Sequence, residues 1–509
     1  MSHTAARVYC AEIMGVGAVP VEVEVDVSAG LNSFSIVGLP DKAVSEARER
    51  VNSALKNSGI KPPAKENRKV VVSMAPADLP KVGSRYDLAV AIGYMLASAQ
   101  IKPFDTKRTM ILGELALDGR VRPVGGVINA TEEAARLGYS KIIIPKENER
   151  EACAVCGIES YGVENLKEAV AALEGNLSPS VFKKLEQEDG SQKNYPDFSE
   201  IKGQEAAKRA AIISAAGGHN LLMIGPPGVG KSMLASAIAG ILPELTTEEK
   251  IEITKIYSAA GLISKEGLIE SRPIRGPHHT ASVAAVIGGG SDPRPGEISL
   301  AHNGILFLDE LPEFPRSVLE SLRQPMETGE VRVARAKMSL IFPARFTLIS
   351  AMNPCPCGYF GDEEKQCSCS PYEIIKYQKK ISGPLLDRID LQVKVRKVAH
   401  KQIRENSEKG ESDKVRLKIN AARKIQKERF LEKGLSVLTN SQMTSRQTSE
   451  LANMSEAAEK MLESFSAKLH SPRSYFRLIK TARTIADLEE ATQVEESHLA
   501  EAFSYRLKE

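Results

Sequence analysis

A chain of 509 residues is too long for one typical domain, and its length predicts about two to four domains. A formal net charge of +3 with 26% charged residues excludes a uniformly basic surface, so any nucleic-acid contact must come from local basic patches. No apolar segment approaches the ~18–20 residues of a membrane span, and residues 1–7 lack the features of a signal peptide. Seven cysteines without such a signal favour a reducing compartment, so we expect a soluble cytoplasmic protein with no membrane partner.

Short strands alternate with helical segments in the first third of the chain. Residues 21–25 and 69–73 have the pattern of strands, and residues 42–58 have the pattern of a helix. Residues 113–126, with the sequence GELALDGRVRPVGG, resemble the protease domain of Lon and the related domain of RadA. This resemblance implies an α+β, Lon-protease-like domain with a ribosomal S5 domain 2-like fold, which we place at residues 1–180.

A Lon-type protease uses a serine nucleophile and a lysine base, and this chain has neither in place. In the nucleophile segment, residues 80–87, Arg85 stands where the nucleophile belongs, and Ser84 is one position away. In the base segment, Ile128 replaces the lysine, so Ser84 has no base to activate it. We therefore expect a ChlI-type domain without proteolytic activity, which binds DNA or partner molecules instead.

A polar segment separates this domain from the rest of the chain. Residues 187–196 lack apolar periodicity, which is typical of a linker, and we place the linker at 181–196. Residues 197–204 precede a helical pattern and resemble the segment that packs on adenine in AAA+ ATPases. The resemblance implies that Ile201 and Gly203 contact the nucleotide.

The most informative stretch is a glycine-rich motif between the apolar run 221–224 and the helical pattern 233–239. Strand, loop and helix in this order are what a phosphate-binding P-loop requires, because glycines let backbone N–H groups surround the phosphates at a helix N-terminus. We expect Lys231 to reach the β- and γ-phosphates of ATP and Ser232 to hold Mg²⁺. The motif consists of Gly225, Pro226, Pro227, Gly228, Val229, Gly230, Lys231 and Ser232.

A second motif predicts that the triphosphate is hydrolysed. The apolar run 305–308 ends in Asp309 and Glu310, where Asp309 can bind Mg²⁺ and Glu310 can activate the attacking water as a general base. Such a pair is often only a solvated strand end, but its place downstream of the P-loop favours a functional role. With a further strand at 346–350, the spacing predicts a doubly wound α/β core at 197–395. A helical lid follows at 396–509.

Three further polar residues appear in the order in which AAA+ ATPases carry them. Asn353 follows the strand at 346–350 and resembles the sensor that positions the attacking water. Arg388, within 385–390, resembles the arginine finger, and Arg473 resembles the second sensor, which touches the γ-phosphate. A guanidinium suits the planar charge of a phosphoryl group. If Arg388 acts on a neighbouring subunit, a ring follows, and the resemblance implies a homo-hexamer.

Two insertions narrow the class of AAA+ protein. Residues 272–300 lie between the P-loop and the carboxylate pair, and residues 328–346 have the pattern of a β-hairpin. Both resemble the helix-2-insert branch, which includes magnesium chelatase and the replicative minichromosome-maintenance helicases. In those helicases the hairpins point into the pore, which implies that Arg332, Arg335 and Lys337 contact DNA phosphates without sequence preference. The alternative is a solvated hairpin face.

Four cysteines lie within the loop 355–369, in the pattern C-x-C, nine residues, C-x-C. Four thiolates make a closed tetrahedral site, so the pattern predicts structural Zn²⁺. Disulfides and an iron–sulfur cluster are the alternatives. The four are Cys355, Cys357, Cys367 and Cys369.

The whole chain resembles the YifB/ComM family of magnesium chelatase-like proteins, most specifically at residues 353–358, 381–390 and 482–488. Members of the ComM type are DNA branch-migration helicases of natural transformation, which implies single-stranded or branched DNA as the partner here. We therefore expect a ring-forming, Mg²⁺-ATP-dependent DNA motor. The alternative is a chelatase-type or chaperone-like ATPase that remodels a protein partner. A non-enzymatic binding module is disfavoured by the intact pair at Asp309 and Glu310.

Overall fold

Two β-sheets organise the chain, a seven-stranded sheet near the N-terminus and a five-stranded parallel sheet in the centre. The structure is a computed structural model. Within the part of the chain that it describes, no helix is both long and apolar enough to cross a bilayer. The described residues are 5–63, 67–181, 195–262, 267–290, 293–335, 338–362, 364–398, 410–466 and 471–506.

The N-terminal sheet combines antiparallel and parallel strands. The strands of this region are β1 (Ala6–Met14), β2 (Gly17–Ala29), β3 (Ser33–Val37), β4 (Arg68–Ala75), β5 (Thr109–Ile111), β6 (Glu114–Leu115), β7 (Val121–Arg122), β8 (Lys141–Pro145) and β9 (Glu159–Val163). The helices are α1 (Lys42–Asn57), α2 (Asp87–Ala97), α3 (Val127–Arg136), α4 (Glu149–Ala152) and α5 (Leu166–Leu173). The sheet order is β3-β4-β2-β1-β5-β8-β9, with β6 and β7 as a separate pair.

Alternating side chains explain the longest strand of this sheet. Val21, Val23 and Val25 of β2 are fully buried, while Glu22 and Glu24 between them are partly exposed. This period of two places the valines on the core side, as the sequence pattern predicts. The mixed strand directions and the covering helices agree with the α+β fold expected for this region.

The central sheet carries the P-loop. Its region contains strands β10 (Leu221–Ile224), β11 (Ile274–Arg275), β12 (Gly288–Gly289), β13 (Arg294–Pro295), β14 (Ile305–Leu308), β15 (Glu330–Arg335), β16 (Met338–Pro343), β17 (Thr347–Met352) and β18 (Leu391–Lys394). Its helices are α6 (Glu205–Gly217), α7 (Lys231–Ile241), α8 (Thr247–Ala259), α9 (Val283–Ile287), α10 (Glu297–Leu300), α11 (Arg316–Ser321), α12 (Pro325–Thr328), α13 (Pro371–Gln378) and α14 (Gly383–Leu386). The parallel order is β11-β14-β17-β10-β18, so chain order reverses at β10. Ligands bind at such reversal points in doubly wound folds.

Two apolar layers cover the central sheet. Leu221 and Met223 pack into a core shared with α6, α7 and the C-terminal helices, whereas Leu222 faces a second core with the hairpin β15–β16. Strands buried on both faces are expected in a parallel sheet. The helices of the lid are Glu411–Glu432, Ser445–Leu451, Glu456–Ser466, Pro472–Leu488 and Glu496–Ser504.

The N-terminal and central regions are joined by a polar contact between α3 and α8. The backbone N–H of Gly126 donates to Ser258 Oγ at 2.9 Å, and Asn129 Nδ2 donates to the Lys255 carbonyl at 3.2 Å. Ser258 also donates to the buried carboxylate of Glu151 at 2.7 Å. These bonds fix the N-terminal sheet relative to the helix that follows the P-loop helix.

Candidate active site

The P-loop is formed by the turn between β10 and α7. Gly228 and Gly230 have φ of 78° and 88°, the left-handed region that favours glycine. A side chain at Gly225 would clash with the Val395 carbonyl beside it. The loop therefore brings its N–H groups and the N-terminus of α7 to the carboxyl edge of the sheet, as the sequence predicts.

The side chain of Lys231 bonds to the backbone of the P-loop. Its ammonium donates to the carbonyls of Gly225 and Pro226 at 2.7 and 2.8 Å and to Asn353 Oδ1 at 3.1 Å. Burial lowers the pKa of Lys231, while Asp309 and Glu310 act in the opposite direction. A phosphate oxygen would replace these neutral acceptors with a charged one, which strengthens the bond.

Ser232 and Asp309 provide the oxygen donors for a divalent cation. Ser232 Oγ donates to Asp309 Oδ2 at 2.8 Å, and the other oxygen of Asp309 accepts the Glu310 N–H at 2.9 Å. A hydroxyl and a carboxylate at the edge of a phosphate cradle fit Mg²⁺, which prefers oxygen ligands. The cleft between them is lined by residues 227–233, 309–310 and 352–353.

Glu310 points toward a residue that the sequence analysis did not select. Its backbone is left-handed with φ of 52°, and its Oε2 lies 3.7 Å from Nδ1 of His279. The His279 ring packs on His278, with centroids 4.0 Å apart, and contacts the edge of Phe314. No signal in the sequence indicated this contact, because His279 follows the two-residue strand β11, and only the pairing of β11 with β14 shows that both strands end at the same sheet edge.

The adenine-contacting candidates Ile201 and Gly203 are not among the residues that line the phosphate cleft. Ile201 is buried in the core with Phe198, and Gly203 has φ of 60°. The turn Phe198–Glu200 contacts α7. The segment that carries these residues is thus next to the P-loop helix but outside the phosphate cleft.

Arg388 and Arg473 come together, but away from the cleft. Arg388 Nη2 donates to Glu327 Oε1 at 2.6 Å, and Arg473 contacts the same oxygen. Neither arginine is among the residues that line the cleft of its own subunit. Within one subunit, Arg473 is therefore not in position for the expected contact with a γ-phosphate.

The four cysteines of the loop 355–369 converge. Their sulfur atoms all lie within 4.8 Å of one another. Backbone N–H groups of Tyr359 and Ser368 lower the pKa of Cys357 to about 5, which favours a thiolate. Four convergent sulfurs fit a tetrahedral metal ion such as Zn²⁺.

The cysteine loop also contacts the P-loop. Gly358 has φ of 87°, and a Cβ at this position would lie 2.7 Å from Cδ of Pro227. The Gln378 side chain donates to the Pro354 carbonyl at 3.1 Å and ties the loop to α13. The loop that follows Asn353 therefore packs directly on the phosphate cradle.

The hairpin carries the DNA-contacting candidates. Its strands pair from Glu330 with Pro343 to Arg335 with Met338, within the range 328–346 predicted for a hairpin. Arg332 is exposed, with its guanidinium 3.8 Å from Glu330. Lys337 lies outside the described residues, as does the side chain of Arg335.

The N-terminal region shows no assembled Ser–Lys pair among the residues predicted for it. Ser84 Oγ donates to Glu114, and Arg85 lies 3.9 Å from Glu12. Ile128 is buried in α3. The neighbouring Lys81 is buried and donates to the Pro76 carbonyl instead of to a serine.

Comparison with known proteins covers nearly the whole chain. Three family models match: magnesium chelatase, subunit ChlI, at residues 197–403; subunit ChlI of Mg-chelatase at 23–148; and the ChlI C-terminal part at 409–506. Competence protein ComM of Haemophilus influenzae is 43% identical over 98% of this chain and 97% of its own length. YifB of Escherichia coli is 41% identical over 97% and 95%. The 38 kDa magnesium-chelatase subunit of Rhodobacter capsulatus is 29% identical over 31% of this chain and 50% of its own length.

Proposed function

The chain belongs to the YifB/ComM family of magnesium chelatase-like proteins, and from this premise we propose that it is a ring-forming, Mg²⁺-ATP-dependent DNA motor that acts as a branch-migration helicase. The family implies ATP and Mg²⁺ and suggests an oligomeric AAA+ assembly. The observation that carries the proposal is the cleft in which Lys231, Ser232, Asp309, Glu310 and Asn353 converge.

ATP occupies this cleft in the proposed reaction. Lys231 leaves its carbonyl acceptors and binds the β- and γ-phosphates, and Asn353 remains beside the γ-phosphate. Ser232 and Asp309 would hold Mg²⁺, which would neutralise charge on the phosphates. We propose that Ile201 and Gly203 contact the adenine.

Glu310 is the proposed general base. It accepts a proton from water as the water oxygen bonds to the γ-phosphorus, and the bond from the γ-phosphorus to the bridging oxygen breaks to give ADP and phosphate. His279, 3.7 Å away, orients the carboxylate.

In the proposed ring, a neighbouring subunit supplies the positive charges that complete the ATP site. Arg388 and Arg473 lie on Glu327, outside their own cleft, so we propose that both reach the γ-phosphate bound by a neighbouring subunit. A guanidinium supplied across an interface typically accelerates phosphoryl transfer by about 10³–10⁵-fold. Such head-to-tail contacts close into rings, and a hexamer is the proposed size.

DNA is the proposed substrate of the motor. Arg332, Arg335 and Lys337 on the hairpin provide positive charge for a phosphate backbone without base recognition. The name of the Haemophilus influenzae relative, competence protein ComM, supports DNA uptake and recombination as the setting.

A structural Zn²⁺ is proposed for Cys355, Cys357, Cys367 and Cys369. It would hold the loop that packs on Pro227 and follows Asn353.

The ATPase rate of the full chain tests the proposal, measured without DNA, with single-stranded DNA and with a four-way junction at one modest salt concentration. We expect several-fold stimulation by DNA that is lost when Arg332, Arg335 and Lys337 are all changed to Ala. Arg446→Ala is the matched control, because Arg446 is an exposed arginine whose ion pair, among the described residues, is with Glu450 on its own helix. Glu310→Gln should lower turnover by at least about 100-fold and retain ATP binding.

A rate that no DNA changes would favour the alternative, a chelatase-type or chaperone-like ATPase that remodels a protein. Full turnover by Glu310→Gln would contradict the catalytic assignment itself. The two outcomes are independent, because the hairpin residues and Glu310 lie on different elements.

A further inference from the structure

Glu327 receives two guanidinium groups on one carboxylate oxygen. Arg388 Nη2 lies 2.6 Å from Oε1, and Arg473 Nη2 contacts the same atom. The Arg388 side chain is only 5% exposed, whereas that of Glu327 is 37% exposed. One negative charge thus balances two positive charges at a site that solvent reaches from the Glu327 side.

The neighbouring arginines Arg477 and Arg323 each pair with a different carboxylate. Arg477 pairs with Asp390 at 2.6 Å, and Arg323 pairs with Glu320 at 2.6 Å. Burial lowers the pKa of Arg388, and the nearby arginines act in the same direction, while Glu327 opposes them. The cluster around Glu327 is therefore one negative charge short, and an added anion would stabilise it.

Glu327 also stands at the base of the hairpin. It lies in α12 (Pro325–Thr328), and β15 begins three residues later at Glu330. The turn between them is fixed at Gly329, which has φ of 68° and accepts the Ala344 N–H at 2.7 Å. A short, hydrogen-bonded segment thus links Glu327 to the paired ends of β15 and β16.

We propose that Glu327 is a positioning residue that couples the two arginines to the hairpin. In the ring, the γ-phosphate of ATP bound by a neighbouring subunit competes with Glu327 for Arg388 and Arg473. When the arginines move to the phosphate, Glu327 loses both partners and the hairpin base is released. When phosphate leaves, the arginines return to Glu327. This inference rests on the proposed trans role of the arginines and goes beyond it in assigning Glu327.

A phosphate group can compete with the Glu327 carboxylate for Arg388 and Arg473. Its terminal oxygens carry more charge than one carboxylate and can accept from both guanidinium forks at once. A simple structural ion pair predicts no such exchange, because Glu327 would then keep its partners in every nucleotide state.

Hydrogen exchange of the full chain tests the coupling without DNA. Backbone amides of 330–335 and 338–343 are followed with ADP and with a slowly hydrolysed ATP analogue. We expect the wild-type exchange rates to differ at least about fivefold between the two nucleotides, the lower range of typical coupling between sites. Glu327→Gln should abolish the difference, and Glu320→Gln, which breaks a neighbouring pair with Arg323, should keep it.

Glu327→Asp keeps the charge but retracts the carboxylate, so it should give an intermediate difference if Glu327→Gln proves unstable. An unchanged difference in the folded Glu327 variants, or no difference in the wild type, would overturn the coupling. The DNA-stimulated ATPase assay remains separate: it can fail while the hairpin still responds to nucleotide, in which case the motor acts on another substrate.

Discussion

At the scale of single residues, His279 is the least expected member of the candidate site. It lies beside Glu310, and its ring contacts His278 and the edge of Phe314. A polar side chain at this distance can orient a carboxylate toward water without touching the substrate.

We predict that His279→Ala lowers kcat for ATP hydrolysis about tenfold and leaves KM within about twofold, because orientation acts on the chemical step. His279→Asn, which keeps a polar partner for Glu310, should restore most of the rate. Steady-state kinetics and a melting curve distinguish this role from a structural one. His302→Ala is the control, since His302 also bonds a glutamate, Glu252, but away from the cleft. A loss of stability with unchanged kcat in His279→Ala would refute the positioning role.

Residue chemistry explains which site residues could be predicted. Lys231, Ser232 and Asp309 belong to motifs whose spacing is local, and the structure places them in one cleft. Glu327, the partner of Arg388 and Arg473, could not be predicted in this way, because it is far from both arginines in sequence and belongs to no motif. Only the three-dimensional fold brings the Glu327 side chain to Arg388 in the ATPase core and to Arg473 in the lid.

At the scale of elements, the cysteine loop and the P-loop form one packed unit. Gly358 and Gly361 both have positive φ, but only Gly358 faces Pro227. A residue other than glycine pays roughly 1–2 kcal/mol for this backbone conformation at either position. A comparison of substitutions at the two glycines therefore separates the effect of backbone strain from the effect of contact with the P-loop.

We predict that Gly358→Ala weakens ATP binding about tenfold or more, because the new Cβ displaces Pro227 and with it the phosphate cradle. Gly361→Ala, whose Cβ would meet nothing within 4 Å, should bind ATP like the wild type. Equilibrium binding of a fluorescent ATP analogue measures both. Equal affinities for the two variants would show that the loop does not support the P-loop.

The convergence of the four cysteines predicts the metal content of the purified protein. We expect about one zinc atom per chain, since four thiolates complete one tetrahedral site. Cys355→Ser should lower the zinc content toward zero, and Cys156→Ser, at an exposed cysteine outside the cluster, should not. Elemental analysis of the purified variants provides the measurement. Iron in place of zinc, or metal content unaffected by Cys355→Ser, would contradict the assignment.

The elements themselves followed largely from sequence pattern. The apolar runs 221–224 and 305–308 are strands with those bounds, and the predicted helix 42–58 is α1 to within one residue. The strand predicted at 346–350 runs from Thr347 to Met352, so it ends directly before Asn353. The two-residue strand β11 was not predicted, because so short a strand is defined by its pairing with β14 and leaves no periodic pattern.

At the scale of the whole molecule, the N-terminal region is attached near the moving parts of the proposed motor. Its α3 bonds to α8, and Gly15 in the turn between β1 and β2 would place a Cβ 3.2 Å from the Ile341 carbonyl of the hairpin. The buried Glu151 sits at the first of these contacts. The attachment could not be read from sequence, because its partners lie over a hundred residues apart.

Glu151 gives this attachment a pH dependence. Burial raises its pKa, although bonds from Ser258 and Asn148 oppose the shift. The folded state therefore holds the proton more tightly, so this contribution to stability is present below the unfolded pKa, about 4.3, and is lost as pH rises through the folded value.

We predict that the difference in Tm between Glu151→Gln and wild type becomes more positive as the pH rises from the unfolded pKa, about 4.3, because Gln lacks the charge that is costly to bury. Thermal unfolding at several pH values measures this trend. Glu46→Gln gives the background for removing an exposed carboxylate. A difference that is constant or falls with pH would mean that Glu151 does not destabilise the contact when ionised.

The central claim, that ATP hydrolysis drives movement along branched DNA, is tested most directly by branch migration of a synthetic four-way junction with homologous arms. We predict conversion to separated duplexes that requires ATP and is lost in Lys231→Ala and in the triple hairpin variant, while Arg446→Ala retains it. ATP hydrolysis by the wild type without any junction conversion would contradict it.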